Sequence, residues 1–243
     1  MGVTEILLIR HGQSAANVAA SDAEASGAET IDVPARDPDV ELSPTGQEQA
    51  AALGAWLRDL PHDRRPDAVW SSPYRRALDT ARTAVEVAEV QLPLRVDERL
   101  RDRDLGITDT LTTAGVLARY PGEAERRRWL GKFYHRPPGG ESWADVALRV
   151  RSVLADLERE ERHERVLITC HDVVVLVFRY VCEELDEAGI LEIGRTDGVR
   201  NAAVTRLVRD GGGWRLADYN VDEHLAQEGA PRTDEPSPVQ ELG

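Results

Sequence analysis

The sequence predicts an α/β protein: a three-layer α/β/α fold with a mostly parallel central sheet and a helical lid insertion. Three observations carry this. Strand-like and helix-like segments alternate along most of the chain, as crossover helices between parallel strands require. The run Glu5-Ile6-Leu7-Leu8-Ile9, rich in Ile and Leu and closed by Gly12, reads as a short buried strand that ends in a tight turn. At 243 residues and 41% hydrophobic, the chain is long enough to bury a sizeable core, in one large domain or two small ones.

After that first strand, Ala15 to Ala20 is expected to be helical and Ser21 to Pro38 polar and turn-rich. Ser43 as N-cap and Pro44 at the first helical position open a helix that runs to about Leu60. Asp67 to Ser71 is a second strand, Tyr74 to Ala88 a second long helix, and Leu94 to Val96 a third short strand. Residues 105–141 differ: Gly106, Gly115, Pro121-Gly122, Gly131 and Pro137-Pro138 break a charged stretch, which reads as a largely helical lid over one end of the sheet. Ser142, with Asp145 as capping-box partner, starts a helix whose Val146, Val150, Val153, Leu154 and Leu157 share a core face. Arg165 to Thr169 is a fourth strand and Asp172 to Cys182 a very apolar helix. Ala203 to Val208 and Trp214 to Tyr219, joined through Gly211-Gly212-Gly213, form a terminal hairpin. The division expected is one domain over residues 1–224 and a disordered Pro- and Glu-rich tail over 225–243.

The net charge of −14 argues against nonspecific binding to nucleic acid or an anionic membrane. It also requires that an anionic substrate be drawn in by a local cationic pocket. Cys170 and Cys182 are too few for a disulfide framework or a cysteine-based zinc site. No segment approaches the roughly 20 apolar residues that span a bilayer, and the N-terminus lacks the pattern of a secretory signal. The expected setting is soluble, reducing and cytoplasmic.

Chemistry-bearing residues cluster where strands end. Arg10-His11-Gly12 follows the first strand, Arg75-Arg76 opens the helix after the second, Asp102 lies in the loop after the third, and His171 follows the fourth. In an open α/β sheet these positions face one crevice, and helix N-termini there suit a phosphate. Arg10, His11, Arg76 and His171 are therefore expected to converge on one dianion. A neutral imidazole attacks phosphorus well only if its second nitrogen donates to a fixed acceptor that sets the tautomer. Preorganised guanidinium and N–H donors then hold the phosphoryl charge. No carboxylate cluster has metal-ligand spacing, so metal independence and no cofactor are expected.

Arg10-His11-Gly12-Gln13-Ser14 with Asn17, Ser71-Ser72 through Arg76-Ala77 with Thr80-Ala81, Gly140-Glu141-Ser142, and His171 together resemble the histidine phosphatase superfamily. More narrowly they resemble its phosphoglycerate-mutase-like branch, over Glu5 to Tyr219. The resemblance implies a histidine acid phosphatase-type phosphoric monoester hydrolase acting on a small-molecule phosphate ester. His11 would form a phosphohistidine, and Arg10, Arg76 and His171 would clamp the phosphoryl group. Asn17 would bind phosphate or substrate, and a homodimer is in keeping with related proteins. Arg75 is expected to face solvent or the pocket rim.

Several readings stay open. Asn17 and Ser14 serve equally as caps of the first helix. The branch usually carries Glu as proton donor where this chain has Asp102, and commonly Gly where it has Asp172; the His171-Asp172 pair resembles the acid-phosphatase branch instead. Asp102 is preferred as donor, with Asp172 as alternative donor or helix cap. Arg103-Asp104-Leu105-Gly106 replaces the mutases' Arg-His-Tyr-Gly run, which favours a phosphatase over a mutase, while the altered acid position keeps open a weakly active phospho-ligand-binding protein. Arg126-Arg127-Arg128 with Lys132 would hold a second anionic group or form a solvated helix face. His62, His135, His163 and His224 sit in polar contexts and are expected to be solvated.

Overall fold

The computed structural model describes residues 2–33, 36–159, 162–211 and 213–234. Six strands, β1 (Glu5–Arg10), β2 (Ala68–Ser71), β3 (Leu94–Val96), β4 (Arg165–Cys170), β5 (Val204–Asp210) and β6 (Gly213–Val221), form one sheet in the order β3-β2-β4-β1-β5-β6. The first four are parallel, and β5 and β6 add the antiparallel hairpin at one edge. Gly212, in the hairpin's expected turn, lies outside the described residues.

The apolar run of β1 explains itself once both faces are seen. Ile6 and Leu8 join a core with α6 (Trp143–Arg159) and α7 (Asp172–Cys182), whereas Leu7 and Ile9 join a second core with α2 (Pro44–Asp59) and α3 (Arg75–Val87). Alternate side chains of a strand point to opposite faces, so a strand covered on both has no place for a polar residue. Burying each Leu or Ile stabilises by roughly 1.5–3 kcal/mol. The caps read from sequence are made: Ser43 accepts from the Gly46 N–H, and Ser142 exchanges bonds with Asp145.

Three expectations need correction. The first helix, α1 (Ala15–Ser26), runs six residues beyond Ala20 and ends at Gly27 in the left-handed conformation, at φ 68°. The segment beyond it pairs with the lid, through Ile31 N–H to Thr110 O at 2.8 Å and Thr112 N–H to Glu29 O at 3.2 Å. The tail does not begin at 225: α9 (Glu223–Gln227) buries Leu225, and Gln49 donates to Pro231 O. Residues 235–243 lie outside the described residues. The helix α8 (Glu187–Thr196) was not anticipated.

Residues 105–141 hold α4 (Thr113–Arg119) and α5 (Pro121–Leu130) between irregular segments. Phe133 pins this insertion to the core against Trp143 and Tyr180. Among the described residues no helix is long and apolar enough to cross a membrane.

Candidate active site

The strand register brings the four motifs together. Arg10 is level with Cys170, so His11 and His171 leave adjacent strands with ring centroids 5.2 Å apart. Ser71 ends β2 beside Thr169, which sets Arg76 in the first turn of α3 at the same edge. The turn after β3 delivers Asp102. Arg10, His11, Arg76 and His171 are all buried.

His11 is fixed on every side. Its Nδ1 lies 2.7 Å from Gly12 O, so that nitrogen carries the proton and Nε2 presents its lone pair. Arg76 Nε–H donates to Nε2 at 3.2 Å. Asn201 Nδ2 holds the His11 carbonyl, and Thr80 Oγ1 accepts the Gly12 N–H while donating to Arg76 O. Gly12 has to be glycine, because a Cβ there would stand 2.5 Å from Gly46 O. Burial, then the charge of Arg76, His171 and Arg10, lowers the His11 pKa well below the usual histidine value. The imidazole is neutral at neutral pH.

Arg76 is saturated. Besides Nε to His11, Nη1 donates to Asp37 O at 2.7 Å and Asp37 Oδ1 at 2.8 Å, and Nη2 to Asp102 Oδ2 at 3.0 Å and Asp37 Oδ2 at 3.4 Å. Arg10 differs: Nη1 is held by Val199 O at 2.5 Å, but its buried Nε has no protein acceptor. His171 takes Ser72 Oγ on Nε2 at 2.9 Å. Its Nδ1 sits 3.2 Å from Asp102 Oδ2 without hydrogen-bond alignment. Tyr74 stacks edgewise on His171 and lies 5.0 Å beneath the Arg76 guanidinium.

Both carboxylate candidates line the cleft. Burial favours the neutral acid at Asp102, yet His171, Arg76 and the Arg103 N–H hold it well below the usual carboxylate range. Its backbone is braced by Arg149, which donates to Asp102 O at 3.1 Å and Arg99 O at 2.6 Å and pairs with Glu141. Asp172 accepts the N–H of Val173 at the start of α7 and reaches the same cleft. Ser14 and Asn17 do both things expected of them: they form the reciprocal capping box of α1 and line the cleft. Beyond them Ala16, Ala20, Ile31, Val33, Leu105 and Leu111 give the cleft an apolar wall.

The basic cluster of the lid divides. Arg126 and Arg128 are exposed, as a solvated face requires, but Arg127 and Lys132 line a small second cavity with Arg103, Glu123 and His135. Arg103 also lines the mouth of the cleft, so the two spaces adjoin. Burial, with Arg127 and Arg103 alongside, pushes Lys132 well below the usual lysine pKa. Arg75 is half exposed and pairs with Glu41 at 2.5 Å. Of the remaining histidines, His62 is exposed and His163 partly so. His135 and His224 are buried, against expectation, because Glu123 and Ala202 O supply their polar partners. Among the described residues no group of three or more His, Cys, Asp or Glu is placed to hold a metal ion.

Asp37, Asn201 and Arg149 escaped the sequence reading, and Tyr74 lay within a motif without a role. Ser72, Thr80 and Glu141 lay within its motifs but without a role. Their partners are 39 or more residues away in most cases, beyond what local patterning reports.

Residues 6–222 match the family model described as the histidine phosphatase superfamily (branch 1). Glucosyl-3-phosphoglycerate phosphatase of Mycobacterium tuberculosis is 32% identical over 216 residues, covering 85% of this chain and 86% of that protein. A 6-phosphofructo-2-kinase/fructose-2,6-bisphosphatase of Gallus gallus is 29% identical over 170 residues, 70% of this chain but only 31% of that protein's length. The structure of mycobacterial glucosyl-3-phosphoglycerate phosphatase with VO3 superposes with a TM-score of 0.70 at 30% identity, over 90% of this chain and all of that one (100%).

Proposed function

Because the chain belongs to branch 1 of the histidine phosphatase superfamily, we propose that it is a metal-independent phosphomonoesterase that passes the phosphoryl group of a small metabolite through His11 to water. The observation that carries this reading is the His11 tautomer: Nδ1–H is committed to Gly12 O, and the Nε2 lone pair is buried beside Arg76. That is a nucleophile needing no base.

Nε2 attacks phosphorus, and Arg76 Nε–H moves from that lone pair to a phosphoryl oxygen as the bond forms. Arg10 Nε, His171 and Asn17 supply the remaining contacts. The leaving alcohol oxygen takes a proton from an acid, Asp102 in the preferred assignment. Ionised Asp102 takes up that proton from solvent when the phosphoryl dianion arrives, since the dianion repels the charge of the carboxylate. Water then attacks the phosphohistidine, returning a proton to Asp102 and freeing His11 and phosphate. Asp172 is the second candidate acid, the feature in which the site resembles acid phosphatases.

The apolar wall supports a leaving group larger than a simple alcohol, and the Arg103–Arg127–Lys132 cavity supports a second anionic group upon it. A glycerate-bearing ester, as in the name of the mycobacterial relative, combines both features. Buried, unpaired Cys170 and Cys182 suit a reducing cytoplasm, and the assembly is read as a homodimer, which sedimentation would check.

The test is p-nitrophenyl phosphate turnover with EDTA present, by wild type and His11→Ala. Turnover is expected in the first alone, with 32P-labelled substrate leaving acid-labile label on the protein. Equal turnover by both would remove His11 from the mechanism. Phosphoryl exchange between phosphoglycerates without net release of phosphate would make the protein a mutase.

A further inference from the structure

We propose that Asp37 is an internal competitor for the phosphate site: its carboxylate occupies donors of Arg76 that a phosphoryl group uses, and an oxyanion binds by displacing it. The proposal rests on the phosphatase reading of the site and adds a residue that sets its affinity.

A guanidinium has five N–H bonds, and here each has an acceptor: His11 Nε2, Asp37 O, Asp37 Oδ1, Asp37 Oδ2 and Asp102 Oδ2. Two of the five go to the Asp37 carboxylate, in the forked arrangement that guanidinium makes with any planar or tetrahedral oxyanion. A phosphoryl group can gain only Nε without disturbing another partner. Asp102 sits deeper, against His171 as well. Asp37 is the partner free to leave, because its side chain is 37% exposed and belongs to a short turn at the mouth, Asp37–Asp39.

Leaving does not unseat Arg76. The Asp37 carbonyl keeps Nη1 at 2.7 Å, and Thr80 keeps the Arg76 backbone. The exchange replaces a monoanion with a dianion, so substrate wins, but at an affinity reduced by the two bonds it must break. Aspartate here discriminates between ligands: a phosphoryl dianion repays the displacement, whereas a weakly charged oxyanion does not. It also loosens inorganic phosphate, the product.

The experiment compares inhibition by orthovanadate and by phosphate, with KM and kcat for p-nitrophenyl phosphate, in wild type, Asp37→Asn and Asp37→Ser. Asp39→Asn is the control, since Asp39 pairs with Arg36 and not with Arg76. Both Asp37 variants should bind vanadate and phosphate about tenfold more tightly, on the scale of one charged hydrogen bond. KM for p-nitrophenyl phosphate should fall in parallel with the two inhibition constants. A purely structural Asp37 gives the opposite sign, with weaker vanadate binding and lower kcat as Arg76 loosens. Weaker or unchanged inhibition in whichever variant folds overturns the proposal and leaves the phosphatase reading standing. Wild type insensitive to both oxyanions overturns the two together.

Discussion

Arg76 directs its Nε–H at Nε2 of His11 across 3.2 Å, so a permanent cation stands where the imidazole would take its second proton. Burial and this charge keep His11 neutral, and burial also lowers His171 despite the opposing pull of Asp102. The stability consequence has a definite sign. In the unfolded chain both imidazoles bind a proton near pH 6.5, while in the folded chain they resist it. Their contribution is complete above that pH and is lost as pH falls below it, by at most about 1.4 kcal/mol per pH unit for each histidine. Thermal melts should therefore show Tm falling from pH 7 to pH 5, and His11→Ala should flatten the slope. An unchanged slope would mean that His11 protonates normally in the fold.

Asp102 lies 3.0 Å from Arg76 and 3.2 Å from His171 and lines the same cleft as His11. A donor matters only when the leaving group needs a proton. Asp102→Asn should cost p-nitrophenyl phosphate turnover about tenfold or less, but alkyl phosphates about 10²–10⁴-fold. If Asp172→Asn gives that contrast and Asp102→Asn does not, the donor is Asp172.

What the sequence made legible follows from physical locality. Ser43-Pro44 and Ser142-x-x-Asp145 carry their partners within one turn, and the unbroken apolar β1 reports that both faces of its strand are covered. Arg10, His11, Arg76 and His171 could be grouped because parallel strands bring their ends to one edge. Asp37 could not, since an Asp-Pro-Asp turn looks like any surface turn until Arg76 reaches it from 39 residues away. His224 was misplaced for a related reason: its polar neighbours in sequence say nothing of the Ala202 carbonyl and the Trp56 ring that receive it.

The turn after β1 tolerates no side chain at Gly12, whose Cβ would meet the Gly46 carbonyl at the start of α2. Backbone must move on one side or the other, and His11 is attached to it. Gly12→Ala should lose about 1–3 kcal/mol of stability from overpacking, together with most of kcat. Retention of wild-type Tm and rate would show that the α2 terminus yields freely.

Lys132, the one lysine of the chain, joins Arg103 and Arg127 at the cavity beside the cleft. Burial first, and then the charges of Arg127 and Arg103, push the Lys132 ammonium down, and an anion arriving there offsets the repulsion among the three cations. Glycerol 3-phosphate and 3-phosphoglycerate differ by a carboxylate in place of a hydroxymethyl group, so their KM ratio isolates the second charge. Lys132→Ala should raise KM for 3-phosphoglycerate about tenfold, the loss of one charged contact, and leave glycerol 3-phosphate nearly unchanged. The wild-type preference should also fade with rising pH before an ordinary lysine would titrate, because the lowered pKa surrenders the charge early. Equal changes in both KM values would reduce Lys132 to a support for the lid, and the substrate would then carry its only anion on His11.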